Sequence, residues 1–130
     1  MIRNETYLRL IIQDENLEFI TNTLNIVPTI IHKKDDLISK LGTIKYKKNE
    51  WIYEVLYRDV NHLEDIVDDF FSIFLDKKKE LIELAKTGSI ELSVICYIEN
   101  GFPSVHLNKK LLNFCVDINT EIDIDLYHCK

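Results

Sequence analysis

Residues 89–98, with the sequence SIELSVICYI, form the stretch around which the rest of the chain is organised. Apolar side chains recur there at every second position: Ile90, Leu92, Val94, Cys96 and Ile98. A period of two places these side chains on one face of a β-strand. Because the opposite face carries Ile95 and Tyr97, the pattern predicts the middle strand of a sheet, with strands on both sides.

A long helical pattern leads directly into this strand. Asn61 is followed three residues later by Glu64, which is close to a capping box. An apolar stripe then follows at helical spacing: Leu63, Ile66, Val67, Phe70, Phe71, Phe74, Leu81 and Leu84. Gly88 suits the C-terminal cap. The pattern predicts one helix of about seven turns over residues 61–86, or two helices with a bend near Asp76.

The N-terminal part alternates between strand and helix patterns. Residues 6–13 (TYLRLIIQ) predict a first strand. Asn16 is a suitable N-cap for a helix that ends near Asn25, because Pro28 forces the residue before it out of helical geometry. Residues 29–32 predict a short strand or an extended loop.

The same patterns predict the other elements, which are strands at 43–47, 51–57, 104–107 and 120–127 and a short helix capped by Asn108. The order is β-α-(β)-β-β-α-β-β-α-β. Helices are too few and hairpins too many for a doubly wound parallel sheet. The predicted fold class is α+β, a single mainly antiparallel sheet with helices packed on one face, in one domain over residues 1–130.

The composition is typical of a soluble globular protein, with 46% hydrophobic and 29% charged residues. No apolar run approaches the roughly 20 residues that span a bilayer, and the N-terminus lacks an apolar signal segment. Three cysteines, an odd number, fit a reducing compartment, with Cys96 and Cys115 at core positions. We therefore expect a cytoplasmic protein with no membrane association and no cofactor.

The net charge of −6 is unevenly distributed. Residues 33–48 hold six lysines and two aspartates, a balance of +4 that leaves −10 for the remainder. Tyr46 and Trp51 near these lysines are residue types that stack on bases. However, the segment has no arginine, and the acidity of the whole chain disfavours nucleic acid as a partner. The sequence leaves open whether the chain forms a homodimer.

A first candidate site is an anion site on the loop after Pro28. Its hypothetical ligand-binding residues are Thr29, His32, Lys33, Lys34 and Trp51. A hydroxyl, an imidazole and two cations on a rigid loop suit a phosphate or a carboxylate. No glycine-rich turn lies nearby to present backbone amides, and the alternative is an ordinary solvated basic loop.

A second candidate is the acidic side of the last strand, with Glu121, Asp123 and Asp125 on one face. Neighbouring carboxylates there lie about 7 Å apart, too far for one metal ion to take all three. The face is either a solvated edge that resists aberrant pairing or a docking face for a basic partner. No C-x-x-C pair and no nucleophile motif is present, so we predict no metal ligands and no catalytic residues.

Several short motifs occur in a familiar order: Leu8-Arg9-Leu10, Ile20-Thr21, Pro28-Thr29, His32-Lys33, Trp51, the stretch 88–94, Leu111-Leu112 and residues 122–127. Taken together, residues 7–127 resemble the bacterial domain-of-unknown-function family DUF4279. The family tends to have glycine where Asn25 and Asp35 stand. The resemblance implies a compact α+β domain in bacteria without an assigned activity, in which Pro28, Thr29, His32 and Trp51 form a site or fix a loop onto the sheet.

Two functions from different classes follow from these patterns. The leading one is a non-enzymatic protein-interaction module, in one concrete version an immunity-type inhibitor of a basic toxin domain. It depends on small size, net acidity and the lack of an assembled catalytic motif. The alternative is a small-ligand-binding domain or enzyme that uses the anion site around His32.

Overall fold

The computed structural model describes residues 3–129 and contains one five-stranded sheet and four α-helices in that range. The strands are β1 (Arg3–Gln13), β2 (Ile30–His32), β3 (Glu50–Arg58), β4 (Ser89–Asn100) and β5 (Thr120–His128). The helices are α1 (Leu17–Leu24), α2 (Leu63–Phe71), α3 (Lys78–Thr87) and α4 (Lys109–Asp117). The predicted α+β class is confirmed.

The strand order in the sheet is β2-β3-β1-β4-β5. Strand β1 is therefore the middle strand, and the prediction that gave this position to residues 89–98 is wrong by one place. Both are inner strands: β1 pairs antiparallel with β3 and β4. Strand β5 pairs parallel with β4, because α4 carries the chain back between them, so the sheet is mixed rather than purely antiparallel.

One face of the sheet carries the hydrophobic core. Even-numbered side chains of β1 and β4 meet odd-numbered side chains of β3 on this face, as in the set Leu10, Leu92 and Tyr53. The buried residues of all four helices belong to the same cluster, including Ile20, Phe70, Leu81 and Phe114. The helices therefore pack on one face, as the sequence predicted.

Two predicted strands do not join the sheet. Residues 43–47 pair within their own loop, where Leu37 bridges Lys45 and the Ile38 amide donates to the Ile44 carbonyl at 2.9 Å. Residues 104–107 form only a bridge between His62 and Ser104. The physical reason is that β3 and β4 each already have a strand on both sides, so neither has a free edge to offer.

The predicted helix ends are mostly confirmed. Asn16 accepts a hydrogen bond from the Phe19 amide at 3.0 Å, and Asn108 accepts one from the Leu111 amide at 2.9 Å. The capping box at Asn61 is wrong, because α2 begins after His62 and no side chain caps it. The stretch 61–86 forms two helices joined by a 3-10 turn at Leu75–Lys77, which agrees with the predicted bend near Asp76.

Backbone geometry explains two departures from the family pattern. Asn25 ends α1 with φ 55°, and Asp35 has φ 73°. Both values lie in the left-handed region, where glycine has no steric cost and where Asn and Asp are the best tolerated substitutes. Glycine at these two positions would therefore preserve the same turns.

Candidate functional site

The sheet has a second face on which no helix packs within residues 3–129. We call it the open face, and it consists of the odd-numbered side chains of β1, β4 and β5 and the even-numbered side chains of β2 and β3. Four of the five strands have nine to twelve residues, so this face spans about 20 by 30 Å. Surfaces of this extent are comparable to the roughly 800 Å² that each partner contributes to a standard protein interface.

Four carboxylates cluster on the open face where β4 meets β5, and we call them the acidic patch: Glu91, Glu121, Asp123 and Asp125. Glu91 stands directly opposite Glu121 in the register, and Asp123 is opposite Ser93. None of the four forms an ion pair within the described part of the chain; the carboxylates that do are elsewhere. The patch is thus uncompensated negative charge.

The environment of Glu91 in the acidic patch raises the pKa of its carboxyl. Burial of the carboxyl raises this pKa, and the negative charges of Asp123, Glu121 and Glu50 and a hydrogen bond with Asp123 raise it further. Neighbouring carboxylates disfavour each other's ionisation, because their negative charges repel. A cation placed over the patch would relieve the repulsion and lower the pKa of Glu91.

Replacing Glu91 by glutamine is expected to stabilise the protein by about 0.5 kcal/mol at pH 7, a value already reduced for solvent screening. A raised folded-state pKa favours the protonated form, so the native contribution of Glu91 is present below the ordinary glutamate pKa and lost as the pH rises through the folded pKa. Glutamine is neutral throughout. Thermal unfolding should show a gain at pH 7 that disappears at pH 4.

The matched control is Glu83→Gln, because Glu83 is exposed and pairs with Lys86 at 2.9 Å. The Glu83→Gln substitution should give no gain in melting temperature at pH 7. A Glu91→Gln protein less stable than the wild type at pH 7 would contradict the view that burial and repulsion disfavour the ionised carboxyl of Glu91.

Next to the acidic patch, three tyrosines cross the open face from β1 to β5. The rings of Tyr7 and Tyr97 meet edge to face at 6.0 Å between centroids, and those of Tyr97 and Tyr127 stack at 5.5 Å. Tyr97 and Tyr127 remain 43% and 51% exposed. Exposed, mutually packed tyrosines beside charge are typical of protein interfaces, because they offer large contact area at low entropic cost.

Two arginines of the open face, Arg9 on β1 and Arg58 on β3, are engaged by carboxylates. Arg9 pairs with Glu54 at 3.4 Å, and Arg58 pairs with Glu5 at 3.3 Å. Arg58 and Glu5 also line a cavity of about 430 Å³ at the tyrosine end of the face. The charges of Arg9 and Arg58 are therefore neutralised locally, and the acidic patch dominates the β4–β5 side.

The structure separates Trp51 from the other predicted anion-site residues. Its side chain is 0% exposed in the core, and the indole Nε1–H donates to Thr21 Oγ1 at 3.0 Å. In the register Trp51 stands opposite Ile31, whereas His32 stands opposite Glu50. Successive residues of a strand point to opposite faces, so His32 lies on the open face and Trp51 on the covered one.

Thr29 and His32 hold the short strand β2 against β3. The Thr29 hydroxyl donates to the Ile52 carbonyl at 3.2 Å and accepts from the Glu54 amide at 2.8 Å. His32 Nδ1 lies 3.0 Å from Glu50 Oε1, and its ring stacks on Tyr46 at 4.2 Å.

Lys33 and Lys34 are exposed. Lys34 lines a cavity of about 530 Å³ together with Lys47, Lys48 and Asn49. The structure thus groups Lys34 with later lysines of the same loop and not with Trp51. Anion binding on this loop stays a prediction.

The two inner cysteines are core residues, as the sequence predicted. Burial raises the pKa of Cys96, which lies 3.6 Å from the Thr6 hydroxyl, and raises the pKa of Cys115 to about 11. Both thiols are therefore protonated at neutral pH, a form that is poorly nucleophilic. In the range that the structure describes, no three His, Cys, Asp or Glu side chains are placed to share a metal ion.

Sequence reasoning missed two parts of this surface. Glu91 belongs to the acidic patch although it precedes Glu121 by thirty residues, and the tyrosines come from three separate strands. The available signal was the alternation itself, since Glu91 and Tyr97 occupy the side of residues 89–98 opposite the core positions. The partner strands needed to group them become known only from the register.

Comparison with known proteins gives one match. A family model described as "Domain of unknown function (DUF4279)" matches residues 3–128, nearly the whole chain. No curated protein and no solved structure matches the chain. Among the described residues, no helix has the length and apolar character required to cross a membrane.

Proposed function

Because the chain belongs to the domain-of-unknown-function family DUF4279, whose description carries no activity, we propose a function from its surface: a non-enzymatic protein-interaction module whose open face binds a basic protein. The observation that carries the proposal is the β4–β5 side of the open face, on which no helix packs within residues 3–129 and where four carboxylates without ion pairs adjoin exposed tyrosines. The carboxylates supply orientation and association rate, and the tyrosines supply buried contact area.

One concrete form of this function is an immunity-type inhibitor of a basic toxin domain. A toxin that acts on a polyanion needs a basic surface, and an acidic sheet face covers such a surface by direct charge complementarity. The uneven charge supports this form, since residues outside 33–48 carry a balance of −10. Strong electrostatic steering would also give the rapid capture that an inhibitor requires.

Neutralising the acidic patch is expected to weaken partner binding by about 100-fold or more, because close interfacial charge pairs couple by 1.5 kcal/mol or more each. The variant combines Glu91→Gln, Glu121→Gln, Asp123→Asn and Asp125→Asn. Tagged wild-type and variant chains are used to capture proteins from the native host, and the affinity for the stoichiometric basic partner is then measured at two salt concentrations.

The matched control neutralises four carboxylates on the helical side: Glu18→Gln, Asp65→Asn, Asp68→Asn and Asp76→Asn. Both variants change the net charge from −6 to −2. The control should keep binding within about threefold, because long-range charge alone is screened at physiological salt. Equal losses in both variants, or no stoichiometric partner for the wild type, would refute the proposal.

A further inference from the structure

Strand β5 forms a long edge of the sheet. Within residues 3–129 its only strand neighbour is β4, whereas the opposite edge, β2, is three residues long. The pairing of β5 with β4 continues without a register shift from Thr120 to His128. Neither proline nor glycine interrupts these nine residues. Their outward backbone N–H and C=O groups are therefore available to another strand.

The side chains on this edge disfavour pairing with a second copy of the chain. Antiparallel pairing centred on Ile124 would place Asp123 opposite Asp125 of the second copy. Centring it on Asp123 or on Asp125 would place that residue opposite itself. Like charges directly opposite each other destabilise a strand pair, so the three carboxylates act against self-association in each of these registers.

The same side chains favour a strand with the opposite charge pattern. Glu121, Asp123 and Asp125 lie on one face at a spacing of about 7 Å. A partner strand with Lys or Arg at every second position has the same spacing. On the other face, Leu126 is 45% exposed and offers an apolar contact to the residues between those cations.

We propose that β5 binds an extended segment of the partner as a sixth strand, and that this segment alternates basic and apolar residues. The inference rests on the proposed function and specifies how the basic partner is held. Backbone hydrogen bonds to the β5 edge supply affinity that does not depend on sequence. The carboxylates select the partner and its register.

Two acetylated, amidated nine-residue peptides of the same composition test the inference on the full chain. One alternates Lys and Val, and the other has all its lysines before its valines. We expect the alternating peptide to bind about tenfold more tightly, since each cross-strand charge pair contributes a few-fold. By NMR, it should slow amide hydrogen exchange at those residues of 120–128 that do not donate to β4.

A charge-reversed variant, Asp123→Lys with Asp125→Lys, supplies a second test, with its fold checked by circular dichroism. It should prefer an alternating Glu-Val peptide over the alternating Lys-Val peptide. Equal affinity of the wild type for both lysine peptides, or no slowed exchange on β5, would overturn strand addition. The capture experiment with the variant that neutralises the acidic patch tests the proposed function independently of these peptides. The proposed function can therefore hold even if strand addition is refuted.

Discussion

Replacing Gly88 by alanine is expected to lower the free energy of unfolding by about 3 kcal/mol or more, at or beyond the upper end of overpacking costs. Gly88 connects α3 to β4, and a Cβ there would overlap the carbonyl oxygen of Gln13 and lie 3.2 Å from its carbonyl carbon. Because these atoms belong to the backbone of the middle strand, they cannot rotate away. Urea denaturation with a constant m-value measures the loss.

The matched control is Gly42→Ala. A Cβ at Gly42 would approach no atom closer than 3.8 Å, in the exposed loop between β2 and β3. This substitution should change the free energy of unfolding by less than about 1 kcal/mol. The change is a small stabilisation if alanine reduces the conformational entropy of the unfolded chain. Equal costs at the two glycines would show that the cost at Gly88 comes from lost backbone freedom and not from the close approach of the Gln13 carbonyl.

Replacing Trp51 by alanine is expected to cost about 4 kcal/mol, which is typical of a large aromatic side chain lost from a core. The ring is fully buried between the sheet and the helices, and its removal also leaves the Thr21 hydroxyl without the indole N–H. Chemical denaturation followed by far-UV circular dichroism measures the cost, because the variant lacks the tryptophan whose fluorescence would normally report unfolding.

The comparison variant is His32→Ala, for which we expect a cost within about 1 kcal/mol. Its contacts are a partly exposed polar contact with Glu50 and a ring stack on Tyr46, and such exposed contacts contribute little. A large cost at His32 together with a small cost at Trp51 would contradict the assigned faces. His32→Ala is thus the suitable variant for testing anion binding on this loop, since we expect it to leave the fold intact.

The two faces of the sheet have different roles in this molecule. Trp51, Phe70 and the even-numbered residues of β1 provide stability on the covered face. The β4–β5 side of the open face instead carries the acidic patch, where burial first and then repulsion by neighbouring carboxylates raise the pKa of Glu91. The gain expected for Glu91→Gln at pH 7 would measure the local cost of this arrangement.

Most features that depend on local sequence were predicted correctly, apart from the capping box at Asn61, whereas the pairings between strands were not. Asn16 and Asn108 were identified as helix caps because a cap needs only an oxygen and an amide three residues apart. Gly88 lies at the end of α3 as predicted, but the structure requires glycine there for a different reason than helix capping. Its φ of −133° is extended, so the glycine is required by the close approach of β1 and not by a left-handed turn.

The sequence by itself determined the α+β class, most element positions, the core side of residues 89–98 and the acidic alternation of residues 121–125, because these depend on residues within a few positions of one another. Only the tertiary structure decided that β1 is the middle strand, that β5 runs parallel to β4, that Trp51 and His32 lie on opposite faces and that Glu91 joins the acidic patch. Each of these facts is a pairing between segments distant in sequence. Such pairings are selected by the packing of the whole sheet against its helices, which no local pattern contains.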